Sequence, residues 1–443
     1  MAKSVQMRNS EKLYNDGQYE AALEWCKKEI DRNPTNADAY SNAGRICLLL
    51  GQLKEAEEYF EKAIKLDEQN GEHYFDLGNI FFGQERYDDA LVNYARAEQL
   101  GCSDETKQKL FYMVGLLNQA EMNNTVNQEK KMKQAQAALI NFNKSNSIST
   151  VNPNRYEILL SSIQIYVESG DFKKAENSAM QLKLLAPNEF GAYQLLFQIL
   201  LQQQLTDRAE SVLEEAKKFC QDATNNVEEI AFDYALLYCF MAEQNPELQK
   251  TYYSKAIKAI NGLVISKDTS LIIKCNAEMT MAEIYLKMDY IEQSMTCSLW
   301  VANLNVAEDE EYAIFFDKAY YILIEGYLLK QEFEKATYYS LKLKKSDNIF
   351  YRHHAYYSEA YAEMKKKDAP KKVVDDLYDR AIAYFANAMV VNQSDFLAVI
   401  YRTKAYADMG KYDKADEMRK KLPVEAQQSL VEYINSKRGG GTP

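Results

Sequence analysis

The sequence predicts an all-α solenoid, a stack of helix hairpins each closed by a short turn, and three observations predict it. Ala22, Ala56 and Ala90 stand 34 residues apart, with Gly17 and Gly51 placed five before the first two. Tyr19, Leu53 and Tyr87 keep the same step, as do Ala63 with Ala97 and the pair Tyr40 and Gly44 with Tyr74 and Gly78. A period of that size marks stacked supersecondary units. Within residues 37–70 the apolar positions fall twice at helical spacing, first Tyr40, Ala43, Gly44 and Cys47, then Leu53, Ala56, Phe60, Ala63 and Ile64. Finally, 443 residues contain only 16 Gly and 7 Pro and are 47% hydrophobic, which favours long helices over a continuous core.

Taken in order, residues 3–36 form the first hairpin, strongest in its second helix through Tyr19, Ala22 and Pro34; Glu29, at a place occupied by Ala in later units, reads as part of a solvent-facing cap. In residues 37–70, Gly44, Ala56 and Ala63 let the two helices approach, and Tyr40 and Phe60 fill the spaces between neighbours. Residues 71–104 carry Tyr74, Leu77, Gly78, Phe81, Ala90, Tyr94 and Ala97. On these residues the chain resembles the tetratricopeptide-repeat (TPR) family, whose unit has this alternation of large and small side chains. The resemblance implies TPR units wound into a right-handed superhelix, with first helices lining its concave face.

After residue 104 the register slips: the next clear turn, Gly170 with Phe172 and Ala175, lies 85 residues beyond Glu85, leaving 17 over whole periods. Residues 105–121 and about 127–143 therefore read as a lengthened helix pair, and NKSNSISTVNPN (143–154) as an exposed polar loop, with 105–154 forming one segment. Residues 155–263 read as three further units, the last at 230–263 with Leu236, Leu237, Tyr253 and Ala256. Looser units fill 264–422, with an insertion around KKKDAPKK (365–372), and Tyr406, Gly410, Tyr412 and Ala415 close the series, making about ten or eleven units. Pro423 starts a capping helix over 423–436, followed by a flexible tail at 437–443.

The composition excludes several function classes. The formal charge is −12, and residues 1–104 hold 12 Lys+Arg against 20 Asp+Glu, which disfavours nucleic acid and favours a basic or neutral partner at that end. No stretch of 18 apolar residues occurs, so no membrane insertion is expected, and the start lacks an apolar leader. Seven cysteines without a C-x-x-C pair read as thiols in a reducing, cytoplasmic setting. Only three histidines occur: His73, read as an exposed helix position, and the adjacent His353 and His354, which cannot share a helix face. With no phosphate-loop, nucleophile-elbow or dinucleotide motif, the sequence predicts no enzyme, no metal and no cofactor. The acidic run Glu308, Asp309, Glu310 and Glu311 reads as helix-start charge, and KKKDAPKK as a solvated turn.

The 33 tyrosines exceed what the repeat core uses. The resemblance places Asn79, Gln164, Gln194, Gln198, Tyr234, Tyr238 and Tyr321 toward the groove, with Leu160, Val167 and Leu201 beside them. Amides there satisfy a bound backbone and tyrosines supply rigid contact area. The family's carboxylate clamp is not expected: Asn42 fits one of its places, but Met7, Glu11, Glu72 and Asp76 occupy the others. The expected function is a non-catalytic adaptor or scaffold that binds a protein or extended peptide. The alternatives are a ligand-switched intracellular peptide sensor and a regulatory subunit of a larger assembly.

Overall fold

The computed structural model describes residues 4–220, 224–306, 309–392 and 394–439. The described residues are helical with no strand, and the helices are α1 (Val5–Asn15), α2 (Tyr19–Arg32), α3 (Ala37–Leu49), α4 (Leu53–Leu66), α5 (Gly71–Gly83) and α6 (Tyr87–Leu100). Next come α7 (Asp104–Asn124), α8 (Gln128–Ile148), α9 (Arg155–Glu168), α10 (Phe172–Leu185), α11 (Phe190–Gln202) and α12 (Thr206–Phe219). Then follow α13 (Thr224–Gln244), α14 (Gln249–Ile265), α15 (Leu271–Lys287), α16 (Ile291–Ala302), α17 (Ala313–Leu329) and α18 (Phe333–Leu343). The last are α19 (Ile349–Lys365), α20 (Lys371–Val391), α21 (Phe396–Asp408), α22 (Tyr412–Arg419) and α23 (Val424–Gly439). Among the described residues, α1 to α22 run as eleven successive hairpins of the α-solenoid class, and α23 packs on α21 and α22. Two compact units divide the chain, Met1–Val212 and Leu213–Pro443.

The 34-residue step is written in the backbone of the turns. Gly17, Gly51, Glu85, Gly170, Gln204, Asp289, Gln331 and Gly410 all take a positive φ, between 60° and 75°. After each, the next N–H bonds to a carbonyl five residues back, as Gln18 to Leu13 and Gln52 to Cys47, both at 2.8 Å, or Arg86 to Phe81 at 2.9 Å. This left-handed ending satisfies carbonyls that a helix terminus leaves without partners. Four of these turns use residues with a side chain, which adopt that conformation at a cost glycine avoids. Glu85→Gly is therefore expected to stabilise the first unit by about 0.5–1 kcal/mol, read as a higher urea midpoint at unchanged slope.

Packing within a hairpin is small against large. A side chain added at Gly44 would meet the Phe60 ring at 2.9 Å, and one at Gly78 would meet Tyr94 at 2.7 Å. Phe60, Tyr94, Ala56, Ala63, Ala90 and Ala97 are fully buried, as the periodic pattern predicts. The repeated alanines let adjacent helices touch while the rings fill the remaining volume.

Three hairpins depart from this pattern: α7–α8, α13–α14 and α19–α20, each with at least one 21-residue helix and none with the left-handed turn. The first and third coincide with the two slips seen in the sequence. The second does not; residues 230–263, read there as an ordinary unit, belong to a lengthened one, because α13 begins at Thr224.

Four expectations need correction. Glu29 is 3% exposed, accepting hydrogen bonds from Ser4 Oγ at 2.7 Å and Asn36 Nδ2 at 2.9 Å. Ser4 and Asn36 cap α1 and α3, so this carboxylate ties two helix starts together instead of facing water. His73 is 2% exposed, its Nε2 lying 3.3 Å from Asn70 Nδ2; burial lowers its pKa, so it stays neutral. The stretch 143–154 is no open loop: α8 continues to Ile148, and buried Asn152 donates to Ser145 Oγ at 3.1 Å. The tail is helical to Gly439, with Lys437 bound to Asp408 at 2.8 Å and Arg438 to Asp416 at 2.7 Å. Residues 440–443 and Glu308 of the acidic run lie outside the described residues; Asp309 caps a short 3-10 turn leading into α17.

Candidate functional site

In the first unit, Gln164 on α9 and Gln198 on α11 share a hollow of 340 Å³ floored by Leu160, Ile163, Val167, Leu195 and Ile199. Both helices are the first of their hairpins, as the sequence reading requires. Gln164 accepts from Gln119 Nε2 at 3.2 Å and donates to Glu168 at 3.1 Å, so its amide is already engaged along the row. Gln194 is half-buried one turn earlier on α11 and does not line that hollow. Asn79 stands apart: its Oδ1 accepts from Tyr94 OH at 2.8 Å, fixing the ring that fills the space at Gly78.

The clamp places in this unit hold an acidic network. Asp76, 9% exposed, binds Arg45 at 2.7 Å, and Glu72 accepts from Thr106 Oγ1 and Ser103 N. Burial opposes ionisation of Glu72, but the hydrogen bonds from Thr106 and Ser103 outweigh it and hold its carboxyl below the usual range. Burial dominates at Asp76 and pushes it up to about 6 against the pull of Arg45. An acid raised from about 3.9 in the unfolded chain binds its proton more tightly when folded. Its contribution is complete below about pH 4 and lost as pH rises to about 6. Urea titrations of wild type and Asp76→Asn are thus expected to show wild-type stability falling relative to the variant across that window, with a constant difference above it.

The second unit holds a larger cleft, of 790 Å³, framed by α12, α13 and α14. Helix α13 supplies Val227, Ile230, Ala231, Tyr234 and Tyr238; Glu214 and Lys217 come from α12, and Lys255, Lys258 and Ala259 from α14. Tyr234 and Tyr238 stack with centroids 6.0 Å apart and planes at 24°. Tyr234 is 9% exposed and donates to Glu214 at 2.5 Å, so it forms the inner part of the wall, while Tyr238 is half-buried under Lys255, whose Nζ sits 5.2 Å over its ring. Sequence reasoning missed the lysines, which come from second helices and fall outside the groove places. Tyr321 is not at this cleft; it packs on α17 against Phe350, Tyr351 and His354, with centroids at 5.6, 5.8 and 4.6 Å.

The two adjacent histidines of α19 are engaged structurally. His353 Nε2 meets Asp395 at 3.0 Å, and His354 Nδ1 meets Tyr401 OH at 3.2 Å, so the adjacent rings serve different partners. Among the described residues no three His, Cys, Asp or Glu side chains are grouped to hold a metal ion. Burial pushes the Cys239 and Cys275 thiols up to about 11, away from nucleophilic reactivity. No described helix is long and apolar enough to cross a membrane.

Stacked helix hairpins with an apolar, lysine-rimmed cleft define a helical-repeat protein built to present surface. Residues 17–69 and 50–104 match two tetratricopeptide-repeat families. The hairpins over residues 17–104 are therefore similar to tetratricopeptide repeats. The chain is similar to small glutamine-rich tetratricopeptide repeat-containing protein 2 of Mycosarcoma maydis, 29% identical over 25% of this chain and 31% of that one. It is also similar to Hsp70-Hsp90 organizing protein 3 of Arabidopsis thaliana, 30% identical over 28% of this chain and 23% of that one. The chain thus matches less than a third of the length of these relatives. Among solved structures, the C-terminal part of a TPR repeat-containing protein from Cytophaga hutchinsonii is 15% identical, covering 65% of this chain and 98% of its own, with a TM-score of 0.42.

Proposed function

We propose that this chain is a non-catalytic adaptor that binds a protein or peptide segment, with the cleft of α12–α14 as a principal contact. The observation that carries this reading is the cleft itself: an apolar floor, a tyrosine wall and a cationic rim within the range of about 300–1,000 Å³ usual for ligand pockets. Rigid aromatic area beside charged groups concentrates binding energy in few side chains. The relatives named for organizing Hsp70 and Hsp90 support an adaptor role of this general kind. The Gln164 and Gln198 hollow would be a second contact, and seven cysteines without a disulfide pattern suit a cytoplasmic setting where thiols stay reduced.

Pull-down from the native cytoplasm with wild type and Tyr238→Ala tests the reading. A set of proteins retained by wild type and lost by the variant, with unchanged circular dichroism, is the expected result. Full retention by the variant would move the binding surface away from this cleft. Tyr234→Ala is unsuitable as a probe, since emptying that buried position costs about 3–5 kcal/mol of stability by itself.

A further inference from the structure

We infer that the cleft of α12–α14 receives an acidic peptide segment with an apolar face, its carboxylates meeting Lys217 on one side and Lys255 and Lys258 on the other. This rests on the peptide-binding reading above and adds the chemistry of the occupant. Three lysines against one glutamate line the cleft, in a chain whose formal charge is −12. Glu214, the one acid, is engaged by the Tyr234 hydroxyl. None of the three lysines forms an ion pair within the described residues, whereas Lys287 and Lys318 on the following hairpins pair with Glu243 and Glu283. Positive charge thus exceeds negative charge along the cleft lining, which favours an anionic occupant.

The floor sets the second requirement. Val227, Ile230, Ala231 and Ala259 are apolar, and Val227 is 50% exposed, so part of the floor faces water until something covers it. An occupant with carboxylates alone would leave this area wet; an amphipathic segment covers it and places charges on both rims. A nucleic-acid strand fits less well. Tyr234 is 9% exposed and hydrogen-bonded, and the Tyr238 ring carries Lys255 over its face, so neither ring offers the open platform that base stacking uses.

The lengthened hairpin makes the cleft. Helix α13 runs for 21 residues, about two turns longer than the 14-residue α12 before it, and its first turns carry Val227, Ile230 and Ala231. A regular hairpin would lack that extension and much of the floor.

The test uses the full chain and three fluorescein-labelled synthetic peptides with the same leucine and phenylalanine spacing and Glu, Gln or Lys between. Fluorescence anisotropy is expected to show the Glu peptide binding, its affinity falling with added salt and dropping at least about tenfold in a Lys255→Glu, Lys258→Glu double variant. Both lysines are exposed, so the variant should keep the wild-type melting curve, which is measured alongside. Equal affinity for the Gln peptide would overturn the charge assignment and leave the adaptor reading standing. Failure of all three peptides to bind would overturn the cleft as a peptide site, while the pull-down with Tyr238→Ala reports on the adaptor reading separately. Displacement of the Glu peptide by oligothymidylate, with the same lysine dependence, would overturn the proposal in favour of nucleic acid.

Discussion

Asp408→Asn is expected to destabilise the second unit by about 3–5 kcal/mol and to release α23 from the end of the stack. The Asp408 side chain is fully buried at the end of α21 and collects donors from three other helices. Tyr357 of α19 donates at 2.7 Å, Tyr378 of α20 at 3.1 Å, and Tyr433 and Lys437 of α23 both at 2.8 Å. Burial, then the nearby Asp408 charge, raises all three tyrosine pKa values, so the hydroxyls remain donors throughout the physiological range. An amide of the same shape can accept on one side only and leaves Lys437 without its counter-charge. Urea unfolding measures the loss, and amide exchange over 424–439 locates it. A change below about 1 kcal/mol would mean that Leu430 and Ile434, both buried, hold α23 without help from the carboxyl group. Tyr433→Phe removes one donor only and should cost about 0.5–1.5 kcal/mol.

Gly78→Val is expected to cost about 1–3 kcal/mol, with partial rescue by Tyr94→Leu. The added Cβ would lie 2.7 Å from Cε1 and 2.8 Å from Cδ1 of Tyr94, so one of them must move. Tyr94 cannot swing aside easily: it is fully buried, lies against Phe75 with centroids 5.8 Å apart, and donates to Asn79. The double variant replaces the ring by a smaller side chain that leaves room for the valine. A thermodynamic cycle should give a favourable coupling between the two changes, as expected for residues in direct contact. Strict additivity would indicate that α5 and α6 separate as a body to absorb the methyl groups.

Local regularity was legible in the sequence, and long-range satisfaction was not. Gly17, Gly51, Gly170 and Gly410 announced their turns because glycine is the usual occupant of a positive φ. Glu85, Gln204, Asp289 and Gln331 adopt the same conformation although their residue type does not announce it, and the surrounding hydrogen bonds require it. Glu29 and His73 read as exposed in the sequence because their type is polar, and no sequence pattern singles out Asp408. Their burial depends on partners supplied from a distance, 25 residues away for Ser4 and Glu29 and 30 for Tyr378 and Asp408.

The candidate site divides in the same way. Tyr234 and Tyr238 were found together because residues four apart on one helix place their side chains on one face. Gln164 and Gln198 were also brought together, being equivalent places in successive units. Lys217, Lys255 and Lys258 were missed because they converge from two second helices around an extra-long first one. The lengthening of α13 was hidden by Leu237, Tyr253 and Ala256, which preserve ordinary spacing at the heart of the hairpin.

The three lengthened hairpins are the fourth, seventh and tenth of eleven, so two regular ones follow the fourth and the seventh. The tenth is followed by one regular hairpin and then α23, which stands where another would begin. In a nearest-neighbour stack, an opening that starts at one end advances by breaking one interface at a time and pauses wherever the next interface is of a different strength. A chain punctuated at every third hairpin therefore has natural stopping points for an unfolding front, near residues 104, 224 and 349. Proteolysis under mild denaturant should generate fragments that end near those positions, giving the molecule a grain coarser than its repeat.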